Sequence, residues 1–290
     1  MYRERMIWQE LSIKVPQEYV EPTSYLFSRY GHGLSIEDAG DGLKLIITYL
    51  PSSSKRKMAR IEVGVNLVRM LQPMGELTVK PLEETDWETA WKAHFSLLRL
   101  GQRLVIRPSW IDYQPDKNEV VIELDPGMAF GTGYHPTTAM CLEALECLVH
   151  PGSEVLDLGT GSGILAIAAS RLGAGSVLAL DTDPTAVKAA RRNFKSSGLR
   201  GLVRLVRGSL PHPEAPEGRF DLATANISNR VIQERAPHLL QALRPGGTLI
   251  ASGIMKDKQE ALSKDLVDAG FRQLEVRIVE DWAALLLSKP

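Results

Sequence analysis

The 290-residue sequence predicts an α/β protein in which a small α+β domain precedes a doubly wound, mainly parallel sheet. From Glu154 onward, apolar runs of strand length alternate with helical patterns, as expected for a sheet covered by helices on both faces. The first eighty or so residues follow the order βαββαβ instead, which is the ferredoxin-like arrangement. We therefore expect domains at 1–82 and 98–290, with residues 83–97 as a helical linker.

The N-terminal domain begins with alternating apolar residues that predict a strand over 7–15, followed by a helical pattern that ends at Gly31. Two strands, 34–37 and 43–50, flank an Asp-Gly hairpin signal, and a last strand follows at 77–79. The helix between them has an apolar stripe that includes Ile61, Val65, Leu67, Val68 and Leu71. RNA-binding modules of this fold expose aromatic side chains beside a glycine on a central strand. Since 43–50 has one tyrosine and no glycine, we expect no direct contact with nucleic acid.

The larger domain is predicted to have five strands joined by helices, followed by two closing strands. These strands lie at 155–158, 178–181, 203–207, 220–226, 248–254, 271–279 and 282–287. A β-ribbon made of 104–107 and 120–123, with its turn at 115–118, is expected to precede them. This alternation is that of a doubly wound sheet.

Composition and charge exclude several classes of protein. The formal net charge of -1 argues against a general nucleic-acid binder, although the basic cluster at 55–57 is either a solvated helix start or a partner contact. No apolar run reaches the roughly 18 residues of a membrane span. The start of the chain lacks the apolar core of a signal peptide, so we expect a cytoplasmic protein. Cys141 and Cys147 fit neither a redox pair nor a zinc site and are interpreted as reduced structural thiols.

A glycine array follows the first strand of the larger domain and reads Asp157-x-Gly159-x-Gly161-x-Gly163. Glycines here allow positive φ and let a ligand lie against bare backbone, which suits a nucleoside-containing cofactor. The third glycine comes one residue early for a dinucleotide site, and the charge of Asp157 would repel a pyrophosphate. Asp181 ends the next strand, where an acid can bind both ribose hydroxyls.

S-adenosylmethionine fits this pattern because it has a ribose and an ammonium group but no phosphate. Two structural alternatives stay open, a buried or capping Asp157 and a helix-capping Asp181, although Asp183 is the better cap. A nicotinamide-dependent oxidoreductase is the alternative from another class of enzyme. The histidines have no metal-ligand spacing, so we expect no metal site.

The glycine array, Asp181 and the turn Arg244-Pro245-Gly246-Gly247 resemble class I methyltransferases, which have a Rossmann-like doubly wound sheet. Residues 125–138 (DPGMAFGTGYHPTT) are similar to the hallmark loop of the PrmA family, bacterial methyltransferases of ribosomal large-subunit protein eleven. Further stretches that resemble this family lie at 86–95, 107–110, 220–222, 225–227 and 252–254. The resemblance implies an N-terminal domain that presents the ribosomal protein for repeated methylation of lysine side-chain amines and the N-terminal amine.

The resemblance also implies specific site residues. Asn226 is the candidate catalytic residue, because its side chain can accept a hydrogen bond from the substrate amine. The candidate cofactor-binding residues are Phe130, Gly131, Thr132, Thr138, Asp157, Gly159, Gly161, Gly163, Asp181 and Asn226. The chain departs from the family after Asn226, at 227–230, which leaves the substrate side open. His135 stands beside a helix start and is interpreted as structural.

Other readings of the same residues stay open. One alternative is a catalytic domain that serves another protein or a small-molecule amine, and another is a ribosome-assembly factor that binds without catalysis. Nucleobase and glutamine methyltransferases have a Pro-Pro-aromatic run after the equivalent of Asn226, and this sequence lacks it. We expect a monomer, since no long apolar surface indicates an obligate dimer.

Overall fold

A computed structural model describes residues 8–70, 74–82, 97–124, 135–199 and 201–290. The described residues form two compact units, one before residue 83 and one after residue 96. Most of the predicted linker helix, 83–97, lies outside the described residues, and so do Leu71 and the family-like stretch at 86–95. The predicted domain boundaries therefore stay predictions.

The described part of the N-terminal unit has four strands and two α-helices. They are β1 (Trp8–Pro16), α1 (Val20–Tyr30), β2 (His32–Asp38), β3 (Leu43–Pro51), α2 (Lys55–Arg69) and β4 (Thr78–Leu82). The strands pair in the order β2-β3-β1-β4, with every neighbouring pair antiparallel. This order confirms the ferredoxin-like prediction. The hairpin signal is confirmed as well, since Asp41 has a φ of 53° between two glycines of positive φ.

Both helices pack against one face of this sheet. The core contains Leu11, Ile13, Val15, Phe27, Ile46, Leu50, Ile61 and Val65. The prediction for Leu67 is wrong, because its side chain is 60% exposed. Ile61 and Val65 are four residues apart and share a helix face, whereas Leu67 lies two residues further on and points away from the sheet.

The second unit holds the remaining described elements. They are β5 (Leu98–Leu100), β6 (Leu104–Arg107), β7 (Val120–Glu123), α3 (Pro136–Leu148), β8 (Glu154–Leu158), α4 (Ile164–Arg171), β9 (Ser176–Asp181), α5 (Pro184–Ser196), β10 (Val203–Arg207), β11 (Phe220–Asn226), α6 (Asn229–Ala242), β12 (Leu243–Met255), α7 (Gln259–Asp268), β13 (Arg272–Val279) and β14 (Trp282–Ser288). Strands β8 to β14 form one sheet in the order β10-β9-β8-β11-β12-β14-β13.

This seven-stranded sheet confirms the doubly wound prediction. Within this sheet, strands β8 to β12 run parallel, and β14 is antiparallel to both of its neighbours, β12 and β13. The chain order reverses between β8 and β11, which are adjacent in the sheet. In sheets of this kind, ligands bind in the crevice beyond the carboxyl ends of the strands at the reversal. The topology therefore predicts a ligand site at the carboxyl ends of β8, β9 and β11.

The predicted β-ribbon is wrong in its pairing. Strands β6 and β7 run parallel, with Leu104 opposite Val120, and β5 pairs antiparallel with β6. The sequence pattern missed β5, which is only three residues long. The β5–β6 turn is held by Glu146 of α3, whose carboxylate accepts hydrogen bonds from the backbone N–H groups of Gln102 and Arg103. A parallel pair needs a crossover connection rather than a tight turn, and residues 108–119 supply that crossover between β6 and β7.

Each face of the seven-stranded sheet has its own core. One face packs with α3, α4 and α5, and the other packs with α6 and α7. Along β8 the side chains alternate, so that Val155 belongs to the first core while Leu156 and Leu158 belong to the second. This alternation follows from the two-residue period of a strand. It also determines which face receives each polar residue near the strand ends.

Candidate functional site

The sheet face toward α3 and α4 changes from apolar to polar near the carboxyl ends of the central strands. In the first halves of β8, β11 and β12, this face carries Val155, Leu222 and Ile250. Two residues further along the same strands it carries Asp157, Thr224 and Ser252. All three polar side chains are at most 1% exposed. Buried polar groups cost free energy unless they are hydrogen-bonded, so such a cluster indicates a site with a function.

The glycine turn between β8 and α4 has the predicted backbone. Gly159, Gly161 and Gly163 have φ values of 77°, 56° and 88°. A Cβ on Gly159 would lie 2.2 Å from Cγ2 of Ile227, and one on Gly163 would lie 2.5 Å from Cε1 of Phe194. At these two glycines, the place of the missing side chain is thus taken by other protein side chains. This differs from the expectation that a ligand fills it.

The backbone amides of the turn are used within the protein. The N–H groups of Gly159 and Thr160 donate to the carbonyl of Leu180, at 2.8 and 3.0 Å. The N–H of Gly161 donates to Oδ2 of Asp181 at 2.9 Å. A pyrophosphate needs such amides free to point at its oxygens. The bracing of the turn by β9 therefore favours a ligand without phosphates.

Asp181 lies at the carboxyl end of β9 and is partly exposed. Its Oδ1 accepts a hydrogen bond from the N–H of Asp183 at 2.9 Å. Helix α5 is capped by Asp183, whose carboxylate accepts from the N–H of Thr185. The structure therefore assigns the cap to Asp183, as predicted, and each Asp181 oxygen keeps a lone pair for another donor. The contact of Asp181 with a ribose stays a prediction.

Asp157 is enclosed by the protein. Its Oδ1 accepts a hydrogen bond from the hydroxyl of Thr224, and its Oδ2 accepts one from the hydroxyl of Thr160, both at 2.6 Å. Burial raises the pKa of this carboxyl group, while the two hydroxyls act in the opposite direction. Asp157 thus links the glycine turn to β11 through the hydroxyls of Thr160 and Thr224. Its predicted contact with the positive end of a cofactor stays a prediction.

Asn226 and Thr138 lie together although they are 88 residues apart in the chain. The amide of Asn226, at the carboxyl end of β11, donates to the hydroxyl of Thr138 on α3 at 3.3 Å. Oδ1 of Asn226 is buried and has no hydrogen-bond partner among the described residues. Leaving a buried acceptor unpaired costs about 1–3 kcal/mol. This oxygen is therefore poised to accept a hydrogen bond from a ligand.

Ile227 joins the two parts of the site. Its backbone N–H donates to the carbonyl of Ser252 at 3.1 Å, and its side chain lies against Gly159. The residue after Asn226 thus contacts the glycine turn directly. The predicted residues Phe130, Gly131 and Thr132 lie outside the described residues, so their expected place over the active site stays a prediction.

His135 is the N-cap of α3, which agrees with its structural interpretation. Its Nδ1 accepts a hydrogen bond from the N–H of Thr137 and lies 2.7 Å from the Thr137 hydroxyl. The neutral ring therefore carries its proton on Nε2. The ring packs edge-on against Trp282, with centroids 4.8 Å apart. Burial lowers the pKa of His135 to about 4, so this ring does not serve as a base near neutral pH.

The low pKa of His135 predicts a pH-dependent stability. The unfolded state takes up a proton below about pH 6.5, whereas the folded state resists protonation until about pH 4. The contribution of His135 to stability is therefore fully present above the pKa of the unfolded state and is lost as the pH falls toward about 4. Between neutral pH and about pH 5, we expect the unfolding free energy of the wild type to decrease by about 2 kcal/mol more than that of His135→Asn, which keeps a capping side chain.

Urea denaturation at both pH values measures this effect. His150→Asn is the matched control, because His150 is exposed and lies two residues after the end of α3. This control should keep the wild-type pH dependence. An unchanged pH dependence in His135→Asn would show that the ring is not held neutral.

Several residues of the site were not predicted. Thr224 had a detectable signal, since it is a polar residue on an inward-facing position of an apolar strand. Asn193 donates from its buried side chain to the carbonyl of Ser162 in the glycine turn at 2.8 Å. No sequence spacing indicates that contact, because it depends on how α5 packs against the turn.

The remaining predictions concern cysteines, metals and membranes. Both cysteines are free, and burial raises the pKa of Cys141 to about 12, which agrees with an inert structural thiol. Cys147 is exposed, which does not agree with its predicted structural role. Within the described ranges, no group of three or more potential ligands is arranged to hold a metal ion. None of the described helices is both long and apolar enough to span a membrane. The Arg244–Gly247 turn lies in the first part of β12, at the end of the sheet opposite to Asn226.

Comparisons with known proteins give one consistent result. A family model described as ribosomal protein L11 methyltransferase (PrmA) matches residues 7–290. The ribosomal protein L11 methyltransferase of Chloroflexus aurantiacus is 42% identical over 98% of each chain. That of Herpetosiphon aurantiacus is 41% identical over 98% of this chain and 100% of its own. A crystal structure of ribosomal protein L11 methylase from Lactobacillus delbrueckii subsp. bulgaricus has a TM-score of 0.61 and 36% identity, covering 67% of this chain and 99% of that one.

Proposed function

Because the chain belongs to the ribosomal protein L11 methyltransferase (PrmA) family, we propose that it transfers methyl groups from S-adenosylmethionine to amines of ribosomal protein L11. Ribosomal protein L11 is the large-subunit protein eleven named above as the substrate of the PrmA family. The acceptors are lysine side-chain amines and the N-terminal amine. The enzyme is an N-methyltransferase that acts on a protein.

The observation that carries this proposal is the unpaired oxygen of Asn226. Its Oδ1 is buried at the carboxyl end of β11, beside Thr138 and at the reversal of strand order. An amine that enters this site would donate a hydrogen bond to Oδ1 and would thereby aim its lone pair toward the cofactor. Asn226 is the catalytic residue in this account.

The residues of the crevice fit S-adenosylmethionine. Asp181 offers carboxylate lone pairs to the ribose hydroxyls. The amides of Gly159, Thr160 and Gly161 already donate within the protein, so they are not available to a phosphate, and S-adenosylmethionine has none. Thr138 and the 130–132 segment complete the proposed contacts. When bound, S-adenosylmethionine supplies a methyl group on a positively charged sulfur. The protein has to orient the amine, exclude water and favour the neutral form of the amine.

A free lysine amine has a pKa of about 10.4 and is mostly charged at neutral pH. Burial favours its neutral form, since desolvation penalises the ammonium. His135 does not accept the proton, because its Nδ1 already accepts from Thr137 and its Nε2 carries a hydrogen. The proton therefore leaves the amine to water before the amine reaches Asn226. We expect methylation to become faster as the pH rises.

The N-terminal unit is the proposed substrate-recognition domain. It has its own core, so it can act as a separate module that presents the ribosomal protein. Trp8 and Tyr49 lie in its second, smaller core and are 8% and 2% exposed. Neither aromatic side chain is available to stack on bases, which supports a protein substrate over RNA. We propose a monomer in the cytoplasm, where ribosomal proteins are made.

An incorporation assay tests the proposed function. Purified unmethylated ribosomal protein L11 and a whole-cell lysate are each incubated with the protein and radiolabelled S-adenosylmethionine. We expect label in L11 alone, at a rate that increases with pH. Label in another protein or in a small-molecule fraction would support the alternative substrates. Binding of L11 without label would support an assembly factor, and thermal stabilisation by NAD but not by S-adenosylmethionine would support an oxidoreductase.

A further inference from the structure

Thr224 lies buried beneath the site and does not face the crevice. Thr224 is fully buried in β11 and lies directly opposite Asp157 of β8 in the strand register. Its hydroxyl donates to Oδ1 of Asp157 at 2.6 Å, which is within the range of charge-assisted hydrogen bonds. The two residues connect strands that are far apart in the chain.

The other oxygen of Asp157 binds the glycine turn itself. Oδ2 accepts from the hydroxyl of Thr160, which follows Gly159 in the turn. The backbone N–H of Ala166, in the first turn of α4, also faces the carboxylate. One carboxylate thus ties together β11, the glycine turn and the start of α4. Asn226 lies two residues after Thr224 on the same strand face, so the link reaches from the proposed catalytic residue to the cofactor turn.

We propose that Thr224 is a positioning residue, which acts through Asp157 to lock the strand that carries Asn226 to the turn that receives the cofactor. This inference rests on the proposed function and adds a residue to its site. Thr224 makes no contact with cofactor or substrate in this account. Its hydroxyl supplies the only hydrogen bond to Oδ1 of Asp157 given by a side chain of the described residues.

The groups around Asp157 determine how strongly the Thr224 hydroxyl affects the pKa of its carboxyl group. Among the described residues, the titratable groups that face the carboxylate are the Asp181 carboxylate from β9 and the Cys141 thiol from α3. Burial and the Asp181 charge raise the pKa of Asp157, and the hydroxyls of Thr160 and Thr224 oppose them. Loss of the Thr224 donor raises this pKa further, so the carboxylate becomes protonated at a higher pH.

The test is a calorimetric titration with S-adenosylhomocysteine, the demethylated form of the cofactor. Thr224→Val keeps the shape of the side chain but removes the hydroxyl. We expect its affinity at about pH 8 to fall about 10-fold, and we expect the affinity of the variant to decrease more steeply than that of the wild type as the pH is lowered. Thr224→Ser, which keeps the hydroxyl, should restore both the affinity and the pH profile.

A matched control separates this role from a general loss of stability. Thr48 is also fully buried, and it lies in the N-terminal unit, where its hydroxyl faces the carbonyl of Phe27. Thr48→Val should bind S-adenosylhomocysteine with wild-type affinity even if its melting temperature decreases. If Thr224→Val does not fold, Thr224→Ala is compared with Thr224→Ser, since these two differ by the hydroxyl alone.

Wild-type affinity and a wild-type pH profile in Thr224→Val would overturn the inference and leave the proposed function intact. Failure of Thr224→Ser to restore binding would also overturn it, because a methyl group rather than the hydroxyl would then be required. If the wild-type protein itself does not bind S-adenosylhomocysteine, the proposed function fails first, and the two failures are thus distinguished.

Discussion

Replacement of Asn226 by alanine is expected to lower kcat/KM for methylation of ribosomal protein L11 about 100-fold or more, with little change in stability. Removal of a single preorganised hydrogen-bonding group from an active site typically has an effect of this size. The side chain makes one described hydrogen bond, to Thr138, and its Oδ1 has no partner among the described residues. The fold therefore loses little when the amide is removed, whereas the amine loses its acceptor.

Initial rates with L11 as substrate measure this effect, and denaturant unfolding checks the fold. The matched control is Asn118→Ala, which alters an exposed asparagine of the same unit, in the connection before β7. This control should keep wild-type activity. Asn226→Asp keeps an acceptor but adds a negative charge, which favours the ammonium form of the substrate, so its activity should shift to higher pH. Wild-type rates in Asn226→Ala would show that another group holds the amine.

Replacement of Gly159 by alanine is expected to destabilise the protein by about 2–5 kcal/mol and to abolish cofactor binding. The φ of 77° alone costs about 1–2 kcal/mol for a residue with a side chain. The added Cβ would also lie 2.2 Å from Cγ2 of Ile227, and such overpacking typically costs about 1–3 kcal/mol more. Ile227 follows Asn226, so its displacement disturbs both halves of the site.

Gly246→Ala is the matched control, because Gly246 has the same φ of 77° and nothing lies within 4 Å of its Cβ position. Urea unfolding should show only the conformational cost there. The double variant Gly159→Ala/Ile227→Ala removes the clash and should be less destabilised than the sum of its single variants predicts. Equal destabilisation in Gly159→Ala and Gly246→Ala would mean that Ile227 is able to move aside at little cost.

Most of the fold could be predicted because hydrophobic periodicity is a local signal. The strand over 155–158 and the helix that begins at Ile164 are both recovered, since the apolar run ends where the glycines begin. The pairing of β6 with β7 could not be predicted. Residues 108–119, which connect these strands, are long enough for either a hairpin loop or a crossover. The two apolar runs look the same in both cases, so their pattern does not determine the strand direction.

The site shows the same division. Asp181 was predicted from its place at the end of a strand and Asn226 from the family resemblance, and both lie at the carboxyl edge of the sheet. The packing partners of Gly159 and Gly163 could not be predicted, because Ile227 and Phe194 come from other elements of the fold. A glycine pattern shows where the backbone is unusual. Which atoms use the vacant space is decided by tertiary packing.

The central claim is that this protein methylates ribosomal protein L11 on amines. The most direct measurement is the intact mass of purified, unmethylated L11 after incubation with the protein and S-adenosylmethionine. We expect the mass to increase in steps of one methylene, because each transfer replaces a hydrogen by a methyl group, and we expect fragment masses to assign the steps to lysine side chains and the N-terminal amine. An unchanged mass of L11, under conditions in which the protein binds S-adenosylhomocysteine, would contradict the claim.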